Sequence, residues 1–178
     1  VPSDPHQVSA VLSADGRYRY RLTRHLEPTL DTIPGKTVVF VMLNPSTADA
    51  ELNDPTTTRC IGYAAREHAE WLHLVNLYAY RTPHPKVLAA AHRDGVNIVG
   101  NPDADRHLGD VLSEAGSGLT VIAGWGNRPA GIPEPFHRAV EFAMLDRVGP
   151  TVALKVTGQG APWHPLYLAA DLPLLPYT

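Results

Sequence analysis

Cysteine occurs once in the 178-residue chain, at Cys60. An internal disulfide is therefore excluded, and so is a zinc or iron–sulfur site built from several thiolates. Long apolar runs are missing as well. Nothing approaches the roughly 18–20 consecutive apolar residues that cross a bilayer, and the first residues lack the basic-then-apolar order of a secretory leader. The expectation is a soluble protein of a reducing cytoplasm, without a membrane partner. Basic charge is scarce too: the formal net charge is −3 and the pI about 6.3. No chain-wide positive field drives non-specific nucleic-acid binding, so any such contact must be local. The nine histidines lack metal spacing. Neither His-Glu-x-x-His nor His-x-Glu followed by Pro-Cys-x-x-Cys occurs, which excludes the zinc proteases and zinc deaminases that depend on them. No metal and no other cofactor is expected, and there is neither an internal repeat nor a low-complexity tract.

What the chain does have is a 44% hydrophobic composition, enough for one well-filled core and hence one domain over residues 1–178. The organising stretch is Thr37–Thr58. Its first part, Thr37-Val-Val-Phe-Val-Met-Leu43, is a β-branched and aromatic run between turn signals, read as a strand buried on both faces. Asn44, Pro45, Ser46, Thr47 and Asp49 then crowd its carboxyl end, where open α/β sheets place their ligands. Asn-Pro-Ser is also an ordinary turn sequence, and Ser or Thr is an ordinary helix cap. Taken alone, turn and site weigh equally.

Val8–Leu12 and Tyr18–Thr23 flank Asp15-Gly16 and predict a hairpin. Arg17, Arg19 and Arg21 fall on one face at period two, read in the first place as a solvated edge-strand face. Asp54-Pro55 opens a helix to about Ala69, with Asp54 as N-cap and Cys60 as a packed small side chain. Trp71–Leu77 is a second buried strand carrying Asn76 near its end. Helices follow at 85–92 and 101–114, then a strand at Leu119–Ala123 closed by Gly124-Trp125-Gly126, a helix at Glu134–Val148, and a strand at Thr151–Val156. A proline-rich tail ends the chain. Strands separated by helices predict right-handed crossovers, hence a three-layer α/β/α architecture with a central, mostly parallel four-stranded sheet plus the N-terminal hairpin. Asn44, Asn76, Trp125 and His164 are released at the carboxyl ends of those strands. Four such residues at one sheet edge make a pocket the better reading.

The motif order strand-LNPS, strand-VNL, strand-GWG, strand-HPL resembles the uracil-DNA glycosylase superfamily. A more extensive resemblance, through MLNPSTAD, DPT with Arg59, NLYAYR and HPLYL, is to the bacterial and phage family DUF1643. The first resemblance implies a fold of that superfamily and a monofunctional DNA glycosylase acting on a flipped pyrimidine. Asn44 stands where most of the superfamily carries an activating aspartate, as in its mismatch-specific members. Leu166 replaces the usual serine of the His-Pro-Ser loop, and the four-cysteine cluster of some members is absent. The bacterial and phage distribution implies a modified base, hydroxymethylated or glucosylated, and a role in restriction of foreign DNA or in repair.

Breaking an N-glycosidic bond passes through an oxocarbenium-like sugar and requires a placed water and stabilisation of the departing base. Asn44 can hold the water through its oxygen, His164 can donate to a pyrimidine carbonyl even when neutral, and Asn76 has the donor and acceptors to read a base edge. Asp54 is a cap first, and a general base or base reader second. Pro45 and Ser46 border the substrate, and Ser46 or Thr47 can bind a flanking phosphate or cap the helix. Tyr78, Tyr80 and Trp163 are candidate stackers for a flipped base. Arg81, Arg128 and Lys155 are candidate phosphate contacts, each with a plain solvated charge as the alternative. The pocket motifs contain no lysine, which argues against Schiff-base lyase chemistry. Two other classes remain: a hydrolase or transferase on free nucleosides or nucleotides, and a binding module for a modified base.

Overall fold

In the computed structural model, which describes residues 8–46 and 52–177, the strands are Val8–Leu12 (β1), Arg19–His25 (β2), Thr37–Met42 (β3), Trp71–Asn76 (β4), Leu119–Ala123 (β5), Thr151–Ala153 (β6) and Leu175–Tyr177 (β7). They form one mixed sheet of seven in the order β1-β2-β4-β3-β5-β6-β7. The β4–β3, β3–β5 and β5–β6 pairs are parallel; β1–β2, β2–β4 and β6–β7 are antiparallel. The sheet is thus larger than the four-stranded one expected from the sequence. The hairpin joins it through β2, and Leu175–Tyr177, within the proline-rich tail, adds to its far side beside β6.

Four α-helices cover it: Pro55–Arg66 (α1), Pro85–Arg93 (α2), Asp103–Ala115 (α3) and Glu134–Val148 (α4). Every residue of β3 is buried, and the strand's alternation divides the core. Val38, Phe40 and Met42 join Leu72, Leu74 and Ile122 under Cys60, Tyr63 and Ala64 of α1. Val39 and Val41 join Val75 and Val121 on the opposite face, under Leu88 of α2, Leu108 and Val111 of α3 and Val148 of α4. Fully burying each such aliphatic or aromatic side chain contributes roughly 1.5–3 kcal/mol, which makes β3 the mechanical centre of the molecule.

Helix α1 begins as the sequence dictates: Asp54 Oδ1 accepts from Thr57 N at 2.7 Å, with Pro55 at the first helical position. It stops three residues earlier than the apolar pattern suggests. The amides of His68 and Ala69 turn back to the carbonyls of Ala65 and Ala64, the bonding of a Schellman closure. His68 supplies the left-handed residue with φ +59°. The C-terminal segment is tied to the same helix, since the Tyr63 hydroxyl donates to Ala169 O at 2.6 Å and Arg66 Nη1 donates to Ala170 O and Leu172 O.

The arginine stripe departs from its edge-strand reading. β2 lies inside the sheet, between β1 and β4. Arg19 is only 4% exposed, Arg21 pairs with Glu114 of α3 at 2.8 Å, and Arg17 is an exposed partner of Asp15. The three do not share a solvated face, because Arg19 lies with Leu74 and Met42 while Arg21 lies with His73 and Glu114. No described helix is long and apolar enough to cross a membrane.

His73 of β4 is buried beside Thr23, with its Nδ1 3.0 Å from Thr23 Oγ1. Burial first, then the positive charge of Arg21, pushes its pKa from 6.5 down to about 4. A histidine with a depressed folded pKa takes up its proton more readily when unfolded. Its share of stability is therefore complete above about pH 6.5 and is lost as pH falls toward about 4. Urea unfolding across this window should show a loss on the order of 3 kcal/mol from this group, and His73→Leu should flatten that part of the profile.

Candidate active site

The carboxyl ends of the central strands open onto a cleft of about 390 Å³. β3 delivers Asn44 and Ser46 to it, β4 delivers Asn76, the loop after β5 delivers Trp125, Gly126 and Asn127, and the loop after β6 delivers His164. Asp54 enters from the start of α1. The assembly depends on close approach at Gly124. A Cβ there would lie 3.1 Å from Pro165 Cδ and 3.2 Å from Met42 Sδ, so a side chain would require one of these neighbours to shift by a few tenths of an ångström. Gly126, at φ +75°, then turns the chain and donates its amide to Pro162 O at 2.8 Å. Together these contacts hold the two loops against each other.

Asn44 is half-buried and its amide is fixed. Nδ2 donates to Thr82 O at 2.7 Å and to Pro45 O at 3.1 Å. Both hydrogens are spent, and Oδ1 remains as an acceptor with no donor among the described residues. Pro45 itself is buried and serves through its carbonyl, which also accepts from Thr82 N at 2.9 Å.

His164 begins the 3₁₀ turn Pro165–Tyr167, and its Nδ1 accepts from the backbone amide of Leu166 at 3.3 Å. A ring nitrogen that accepts carries no hydrogen, so the neutral ring holds its proton on Nε2. Burial lowers the His164 pKa, against a smaller opposing pull from Asp54. The ring is accordingly a neutral Nε2–H donor at neutral pH. Asn76 is buried, and its Oδ1 ends without a donor among the described residues. A buried acceptor left this way costs about 1–3 kcal/mol. Asp54 spends Oδ1 on the cap of α1 and also lines the cleft.

Sequence reasoning missed several lining residues. Arg19 comes from β2, two strands away from β3, and its signal was the arginine stripe. Thr57 and Thr82 are buried beside Asp54 and Asn44. Tyr167 stands at the cleft with 74% of its surface exposed and its ring 5.7 Å from that of His164. The HPLYL string contained it, but an exposed tyrosine has no spacing that marks it.

Other expected residues lie elsewhere. Tyr78 is fully buried on the opposite face of the sheet, where its hydroxyl meets His137 Nδ1 at 2.6 Å and its ring stacks on Phe136. It is in no position to stack on a ligand in the cleft. Tyr80 packs edge-on against Tyr18 at 5.7 Å. Trp163 and Lys155 occupy each other, with Nζ 5.1 Å above the indole. Arg81 donates to Gly16 O near the hairpin turn, and Arg128 donates to Ile132 O. None of these six lines the cleft. Thr47 lies outside the described residues. Cys60 is fully buried, and burial raises its pKa, so it stays a thiol. Among the described residues no three His, Cys, Asp or Glu converge to hold a metal ion.

The sequence model of the family described as "Protein of unknown function (DUF1643)" matches residues 19–166. The chain belongs to the DUF1643 family. The matched span takes in every cleft residue named above, from Arg19 to Leu166, except Tyr167. No curated protein and no solved structure matches this DUF1643 chain.

The two tasks of Asp54 are separable. Asparagine caps a helix as well as aspartate does, whereas alanine does not. In urea unfolding Asp54→Ala should cost about 1 kcal/mol and Asp54→Asn should stay within about 0.5 kcal/mol of the parent protein. An equal loss in both would show that the charge, and not the cap, is what α1 requires.

Proposed function

We propose that this DUF1643 protein hydrolyses the N-glycosidic bond of a pyrimidine in DNA, more readily a modified pyrimidine than uracil, and leaves an abasic site. The observation that carries the reading is the pairing, in one cleft, of a fixed amide oxygen on Asn44 with a neutral Nε2–H donor on His164. In this reading Asn44 Oδ1 holds the attacking water. The C1′–N bond breaks through an oxocarbenium-like sugar, and the water oxygen bonds C1′ and releases a proton. His164 Nε2–H donates to a carbonyl oxygen of the base as negative charge develops there, a form of stabilisation that needs no proton transfer. The base then takes its proton from solvent. Asn76 offers an acceptor to the polar edge of the base, and Tyr167 is the exposed ring that stacks on it after extrusion from the duplex. The uncapped oxygen of Asp54 is the available acceptor for the proton that the water gives up.

Two features support placement beside the uracil-DNA glycosylase superfamily: the order of the four motifs, and their convergence at one sheet edge. Restriction of modified foreign DNA is the biological role that fits. The alternative is a hydrolase of free nucleosides. It is favoured by the net charge of −3 and by the identity of the cleft's basic residue, the buried Arg19, where a DNA-binding rim would show exposed cations.

The test is incubation of the protein with duplex and single-stranded DNA carrying uracil, 5-hydroxymethylpyrimidines or glucosylated hydroxymethylcytosine, followed by alkali and gel analysis. Strand breaks that require alkali should form on at least one substrate. They should fall about a hundredfold or more in Asn44→Ala and His164→Ala, and by a smaller factor in Tyr167→Ala. Release of base from free nucleosides alone would replace DNA as the substrate. Salt-sensitive DNA binding without abasic sites would make the protein a binding module.

A further inference from the structure

Beside the cleft lies a second cavity of about 330 Å³. The two share Asn127 and are divided by the contact in which Trp125 Nε1, on the cleft side, donates to Glu141 Oε1 at 2.7 Å. The second cavity is mostly polar, with Gln159, Ala161 and Tyr177 completing its wall. Glu141 is held as a carboxylate: burial would raise its pKa, but the His137 ring and the Trp125 indole beside it reverse the direction. His137 is 3% exposed. Its Nε2 lies 3.4 Å from Glu141 Oε1 without a hydrogen bond between them, and it finds no other partner among the described residues. Asn127 Oδ1 accepts from Thr157 Oγ1 at 2.9 Å, which leaves its Nδ2 to donate. Arg128 is anchored through Nη1 to Ile132 O and keeps its other nitrogens as donors.

The charges cancel. Arg128 and Arg138 face Glu134 and Glu141 around the cavity, so it selects neither an anion nor a cation. What it offers is a mixture of donors and acceptors, of which Glu141, Asn127 and Arg128 are tied to the protein by one bond each, complementary to a neutral group whose polar atoms both donate and accept. Hydroxyls are that chemistry. The volume falls within the ~300–1,000 Å³ range of small-molecule sites.

We propose that this cavity is a subsite for a hexosyl group carried by the base whose ring occupies the cleft. The proposal rests on the glycosidase reading above for its main ligand, and it narrows the substrate class to a glycosylated pyrimidine. A sugar attached to the base passes Asn127 and places its hydroxyls against Glu141, Asn127 and Arg128.

Two measurements test it on the full-length protein. The first is saturation-transfer NMR with methyl α- and β-glucosides, where transfer is expected and should be lost in Ala161→Phe, which places a ring at a position lining the cavity. The second compares abasic-site formation on DNA containing hydroxymethylcytosine and its glucosylated form. The glucosylated base should be preferred by about tenfold or more in kcat/KM. In Ala161→Phe and in the milder Gln159→Ala the preference should shrink toward parity, with cleavage of the smaller base kept within about twofold. Glycoside binding without cleavage of any DNA would support the subsite and sink the glycosylase reading. Equal cleavage of both bases, insensitive to either variant, would overturn the subsite and leave that reading intact. Absence of both binding and cleavage would overturn both.

Discussion

The contact on which the site depends is the approach of Pro165 and Met42 to the bare backbone of Gly124. Parallel strands end at one edge, but their loops leave in different directions, and nothing in strand pairing alone brings the loop after β6 over the end of β3. The missing side chain at Gly124 permits it, and the Gly126 amide to Pro162 carbonyl bond holds it. With those two contacts in place, Asn44 and His164 face one space although 120 residues of sequence separate them. An added methyl group at Gly124 would meet a proline ring from the His164 loop and the methionine at the end of β3, and one of them would have to give way.

The rest of the molecule fixes side chains more than it moves them. Backbone carbonyls use up the Asn44 amide hydrogens, a backbone amide sets the His164 tautomer, and a helix N-terminus takes one oxygen of Asp54. In each case one polar atom is tied to the chain and the other has no hydrogen-bond partner among the described residues. Such half-occupied groups need no reorganisation when charge develops nearby, which is where preorganised donors and acceptors gain over water. The second cavity repeats the pattern with Asn127, which Thr157 holds by its oxygen, and with Arg128, held by one nitrogen.

Much of this was legible in the residues. Strand and helix positions followed from apolar periodicity, the cap of α1 from Asp-Pro, and the placement of Asn44, Asn76 and His164 from their position just past apolar runs. What could not be read was set by tertiary pairing. Alternation along β2 gives its faces but not its neighbours, so Arg19 read as an edge charge when the strand is in fact internal. Tyr78 shares the parity of Asn76 and would share its face if the strand continued. The strand stops at Asn76, and the next residues roll the ring to the far side, against Phe136 and His137. Lys155 and Trp163 pair with each other outside the cleft, and no spacing rule announces a cation over an indole. The three residues of β7 lie in a tail whose prolines argue against a strand, yet an edge position tolerates them.

One consequence follows from how His164 is oriented. The ring is set by the backbone N–H of residue 166 and makes no use of that residue's side chain. For the ring's orientation, position 166 need only supply an N–H, which proline lacks, while its side chain is left to line the cleft. Leucine in place of a hydroxyl residue there leaves the ring's orientation unchanged, because the bond that sets it comes from the main chain.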